Sequence, residues 1–105
     1  MKLPEKIRIA GVDYDVKMVN YLNNGVNLAY GHIDFVKNTI SLSATEPMSV
    51  GSTGITLLHE ILHGVLQHYG TAVTLENEEN VIDVFAKGLY QVIRDNKEFF
   101  EEVQK

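Results

Sequence analysis

The stretch from Thr56 to Leu66 constrains this chain more than any other. Leu57, Leu58, Ile61, Leu62, Val65, Leu66 and Tyr69 would cover most of the circumference of a helix here. A helix that is apolar nearly all round is buried inside its domain. Yet His59, Glu60 and His63 sit within the same run. Burying two imidazoles and a carboxylate is costly unless they are paired or coordinated. Any fold for this chain must therefore cover the helix on more than one side and supply partners for those three groups. The spacing predicts a helix that opens near Ser52 or Thr53, either of which can cap it, and stops at Tyr69-Gly70. Gly64 lowers helix stability relative to Ala. Its place in the run predicts that another segment packs closely there.

His59 and His63 are four residues apart, so they stand one above the other and can reach a common metal ion. Glu60 lies about a quarter turn away. A carboxylate in that place is beside the metal and free to take a proton from water. The pattern His-Glu-x-x-His fixes only three positions, and a helix with two hydrogen-bonded histidines satisfies it equally well. A catalytic zinc site of this kind takes three protein ligands and leaves a fourth position open. Three residues compete for the third place. His68 is about 140° around the helix from His63, which makes it an ordinary helix-end or surface histidine. His32 lies far upstream in a strand-like segment and matches no ligand spacing.

Glu79 belongs to a second predicted helix, capped near Thr74, with acids in its first turn where the helix dipole favours them. Val81, Ile82, Val84, Phe85, Leu89, Val92 and Ile93 would form its core face. Glu79 and Asp83 share one stripe, extended by Ala86 and Tyr90. Glu79 could bind the metal while Asp83 accepts a hydrogen bond from the second ring nitrogen of a ligating histidine. The competing reading is a solvated first turn, and Glu76 and Glu78 are assigned to it. The helix is expected to continue through Asn96 to Val103, docked by Phe99, Phe100 and Val103.

Upstream, Lys6 to Val19 alternates apolar and polar residues and breaks at Ala10-Gly11, which reads as a β-hairpin. Tyr21 to Gly31 is rich in turn residues and reads as a loop. Ala29 to Ser43 reads as a second hairpin turning around Val36 to Thr39, with Ile33, Phe35, Ile40 and Leu42 facing the helices. Ala44 to Gly54 reads as a connector. Strands first and helices after predict an α+β fold, a small antiparallel sheet packed on a helical layer.

The 105 residues make one domain, 1–105, with a modest core. There is no cysteine, so disulfides and thiolate metal sites are excluded. A net charge of −5 argues against nucleic-acid binding, which draws on phosphate neutralisation. No apolar run reaches membrane-spanning length and residues 1–6 do not read as a signal peptide, so a cytoplasmic chain without membrane association is expected.

His59-Glu60-x-x-His63, followed on the next helix by Glu79-x-x-x-Asp83, resembles the gluzincin metallopeptidases. With Asp83-Val84-Phe85-Ala86 closing the motif, it is similar to the ImmA/IrrE-type and phage-encoded minimal members, over roughly residues 30 to 95. It departs from the ImmA pattern at Ile82 and in the run Lys87 to Gln91. The resemblance implies a zincin-like fold and a zinc cofactor held by His59, His63 and Glu79. It also implies Glu60 as general base, Asp83 behind the ligands, and a peptide or protein substrate. In such enzymes an edge strand beside the site takes the substrate by strand addition, and Thr39 to Ser43 is the expected strand. Tyr30 and His32 could reach over the site from the sheet, although ordinary core or surface roles are the preferred reading for both. Two alternatives stand beside the peptidase. One is a phage or mobile-element regulatory module that keeps the fold, with structural zinc and no turnover. The other is a zinc-free domain whose histidines are coincidental.

Overall fold

The computed structural model describes residues 2–20, 30–44 and 50–105. Four strands, β1 (Lys6–Ile9), β2 (Val12–Val19), β3 (Gly31–Asp34) and β4 (Thr39–Ser43), precede three helices. These are α1 (Val50–Tyr69), α2 (Glu78–Asp95) and α3 (Lys97–Val103). The class is α+β, as the order of apolar patterns predicts.

Both predicted hairpins form. β1 and β2 pair antiparallel through a two-residue turn in which Ala10 has φ 52° and Gly11 φ 81°. That handedness matches the strand twist, and Gly11 accepts it without cost. In the second hairpin, between antiparallel β3 and β4, the Asp34 carboxylate accepts bonds from the Val36 and Lys37 amides, each 2.9 Å. Those bonds hold Asp34 below the usual carboxylate range.

The sheet is mixed rather than wholly antiparallel. β4 lies parallel to β2, giving the order β1-β2-β4-β3. β4 is therefore interior and β3 is the edge. This follows from burial: Ile40 and Leu42 on β4 are both fully buried, and a strand of that kind is stable in the middle of a sheet. The core gathers Ile9, Tyr14, Ile33, Ile40, Leu42 and Leu57 between the sheet and α1. A Cβ on Gly64 would lie 2.6 Å from Ile9 Cδ1 and 3.2 Å from Ile33 Cδ1, so the glycine permits the close approach of α1 to the sheet.

α1 packs on β1, β3 and β4 on one side and on α2 on the other. Several expected boundaries move. α1 opens at Val50, which places Ser52 and Thr53 inside the helix rather than at its cap. The loop expected over 21–29 and the connector residues 45–49 lie outside the described residues. α2 opens at Glu78 with Asn77 before it, not at Thr74. Its first backbone bond runs from the Val81 amide to the Asn77 carbonyl, 3.0 Å. The long C-terminal helix breaks at Asn96, whose side-chain amide donates to the Val92 carbonyl at 2.8 Å. That bond satisfies a carbonyl left open by the helix end.

The expected core face of α2 is mostly not a core face. Ile82 and Ala86 are buried, but Val84, Phe85, Val92 and Ile93 are exposed. α2 packs on α1 and α3 and, among the described residues, on no strand. Phe99 and Val103 are exposed as well, so they do not dock α3 as expected. No helix among the described residues is long and apolar enough to cross a membrane.

Candidate metal centre

The late start of α2 positions this site. It makes Glu78 and Glu79 the first residues of the helix, where the dipole favours acids. It also sets them against the face of α1 that carries His59 and His63. The two imidazole Nε2 atoms are 3.1 Å apart. Glu79 Oε2 is 3.2 Å from His59 Nε2, and Glu79 Oε1 is 2.5 Å from His63 Nε2. His59, His63 and Glu79 thus each offer one atom to a common point, all within 4.8 Å of one another. This group could hold a metal ion. A tetrahedral ion with bonds of about 2.0–2.1 Å has ligand atoms about 3.3 Å apart, close to two of the separations found.

The donor set, two imidazole nitrogens and a carboxylate oxygen, is one that a cation can use. His63 Nδ1 is 2.8 Å from Glu78 Oε2, a carboxylate that accepts from the Nδ1–H tautomer. In that tautomer Nε2 carries a bare lone pair. It then faces a carboxylate oxygen of Glu79 and the Nε2 atom of His59. Both rings are largely shielded, with side-chain exposures of 16% for His59 and 12% for His63.

Glu60 is buried, with its carboxylate against Gly31 of β3, and it lines the same cleft as His59, His63 and Glu79. A Cβ on Gly31 would lie 3.1 Å from Glu60 Oε2 and 2.9 Å from Thr56 Cγ2. Glycine at the start of β3 therefore makes room for this carboxylate. Burial pushes the Glu60 carboxyl up to about 7; His63 works against the rise and Glu79 adds to it.

Asp83 does not make the bond expected of it. Its Oδ1 is 3.9 Å from His59 Nδ1, beyond hydrogen-bonding range. Its Oδ2 accepts instead from Lys87 Nζ at 2.9 Å, and the Lys87 bond holds Asp83 below the ordinary range. Glu78, assigned from sequence to solvent, makes the carboxylate–imidazole bond. The signal that could have found it is its place beside Glu79 in a first turn aimed at α1. Glu76 remains exposed.

His68 takes no part. It is paired with the buried Tyr14 hydroxyl at 2.6 Å and packs edge-on against Tyr14 and Phe35. An open cleft of about 760 Å³ leads to the cluster between β3 and α1, lined among others by Tyr30, His32, Phe35, Ile55, Leu66 and Val73. Tyr30 and His32 thus border the site, both exposed. Thr39 to Ser43 cannot receive a substrate strand, because β4 is bonded on both sides. Among the described residues, the free edge beside the cleft is β3. The Ser43 amide donates to the Tyr30 carbonyl at 2.8 Å. The alternation of an antiparallel ladder then turns the main-chain groups of Gly31 and Ile33 outward.

Comparison of the chain with protein-family models, with curated proteins and with solved structures finds no match.

Proposed function

We propose that this protein is a zinc-dependent peptidase of the gluzincin kind. The observation that carries the reading is the convergence of His59 Nε2, His63 Nε2 and the Glu79 carboxylate, with the buried Glu60 one residue from the first ligand. An N,N,O donor set without sulfur is of the kind found in zinc peptidases. When bound, zinc supplies a Lewis acid that polarises a carbonyl and lowers the pKa of water.

The remaining work falls to the chain. Glu60, buried beside the ligands in the same cleft, is placed to take a proton from water and return it to the leaving amine, which is what a general base that later serves as acid must do. The outward main-chain groups of Gly31 and Ile33 give an extended peptide a strand to pair with along the cleft. The apolar side chains of Phe35, Leu66 and Val73 offer it contact surface.

The test is turnover of casein or a peptide library by the zinc-loaded protein, compared with Glu60→Gln. The reading predicts hydrolysis by the unaltered protein, and retained zinc with lost hydrolysis in the variant. Zinc bound by the unaltered protein with no turnover of any peptide would favour the regulatory module with structural zinc. Hydrolysis that survives in Glu60→Gln would remove Glu60 from the mechanism.

A further inference from the structure

We propose that Glu78, and not Asp83, is the carboxylate that orients the metal-binding histidines, and that Lys87 withholds Asp83 from His59. The inference rests on the metal-centre reading above and adds a positioning residue that the motif does not contain.

Glu78 Oε2 stands 2.8 Å from His63 Nδ1, within the range of a charge-assisted hydrogen bond. Asp83 Oδ1 stands 3.9 Å from His59 Nδ1, outside it. The two carboxylates are alike in exposure, 47% for Glu78 and 46% for Asp83, so burial does not separate them. What separates them is a rival cation. Lys87 lies one helical turn after Asp83 and holds its other oxygen at 2.9 Å. Glu78 leads α2 and spans to α1, where His63 is only 12% exposed.

A carboxylate on the far nitrogen of a ligating histidine fixes the tautomer, turns the ring and raises the basicity of the ligating nitrogen. Glu78 is placed to do this for His63: a proton held on Nδ1 leaves Nε2 to ligate the metal beside His59 and Glu79. Among the described residues His59 has no carboxylate as close to its Nδ1, which makes it the weaker ligand of the two. Because Glu78 and Glu79 are consecutive, one helix start delivers both the ligand and the group that prepares its partner.

Two readouts test this. The first is the ring-nitrogen NMR spectrum of the metal-free protein at mildly alkaline pH, which reports the tautomer without any metal. The second is zinc affinity by competition with a chromogenic chelator. In the unaltered protein His63 is expected as the Nδ1–H tautomer. In Glu78→Ala that preference disappears and zinc affinity falls by about 10- to 100-fold, with the far-ultraviolet circular dichroism unchanged. Glu78→Gln, which keeps an acceptor, falls between the two. Asp83→Asn weakens zinc less than Glu78→Ala, and Lys87→Met tightens it by freeing Asp83 for His59. An Nε2–H tautomer at His63 in the unaltered protein would overturn the proposal, as would a larger loss in Asp83→Asn than in Glu78→Ala. Zinc affinity unchanged in Glu78→Ala would remove the role of Glu78 alone. Absence of zinc binding in the unaltered protein would remove the metal centre and this role with it.

Discussion

α1 and α2 are of similar length, 20 and 18 residues, and both carry apolar side chains well beyond a single stripe. Their fates differ. α1 is covered by the sheet on one side and by α2 on the other. α2 has α1 and the short α3, and it leaves Val84 68% and Phe85 58% exposed. Apolar residues are buried only where a second element exists to cover them, and the described residues supply one sheet, enough for one helix. The candidate metal centre spans this divide. His59 and His63 come from the well-packed helix and Glu79, 74% exposed, from the thinly held one. On this account a cation does for the start of α2 what the sheet does for α1.

Substitutions on the two sides should separate accordingly. Leu42, fully buried between sheet and α1, anchors the packed side. Leu42→Ala is expected to cost about 2–5 kcal/mol in chemical denaturation. A cost near zero would mean that the core is not where the packing places it.

Glu60 gives the next largest effect, and it depends on pH. In the metal-free protein its carboxyl ionises at about 7, against 4.5 for an ordinary glutamate. Between those values the folded state holds a proton that the unfolded state has released. Stability contributed by this group is therefore full below about 4.5 and is lost as pH climbs through 7. The loss is at most about 3 kcal/mol. Glu60→Gln should flatten this part of the profile and stabilise the metal-free protein at neutral pH. Denaturation midpoints of the two proteins compared across that window check it, and parallel profiles would contradict it.

Gly64→Ala should be milder. The new methyl meets only the ends of Ile9 and Ile33, but in a closed core. Overpacking of about 1–3 kcal/mol is partly offset by the roughly 1 kcal/mol gained in helix propensity. A net loss of stability is expected, and a net gain would show that α1 stands further from the sheet. The smallest effect belongs to the thin side. Phe85→Ser on α2 should shift the denaturation midpoint by no more than about 0.5 kcal/mol. A core-sized loss there would mean that α2 is covered after all.

What could be read from sequence was mainly local. The hairpin at Ala10-Gly11, the turn after Asp34, the stop at Gly70 and the pairing of His59 with His63 all depend on neighbours within a few residues. The close approach at Gly64 and the place of His68 outside the cluster followed from helix geometry. The failures were non-local. β4 and β2 are far apart in sequence, and nothing in Thr39 to Ser43 announces that it runs parallel to β2 rather than along an edge. The exposure of Phe85 depends on a covering element that the described residues do not provide, which periodicity alone cannot reveal. The exchange of roles between Glu78 and Asp83 turned on where α2 begins. An opening near Thr74 leaves Glu78 an ordinary surface acid, whereas an opening at Asn77 brings it to His63.

The central claim is that two rings from α1 and one carboxylate from α2 share a cation. Zinc content and affinity of the unaltered protein, measured beside His63→Ala and Glu79→Ala, test it most directly. The account predicts a single zinc ion per chain, lost or greatly weakened in both variants, with thermal stability that rises on zinc addition in the unaltered protein alone. Zinc bound equally by all three proteins, or by none, would contradict it.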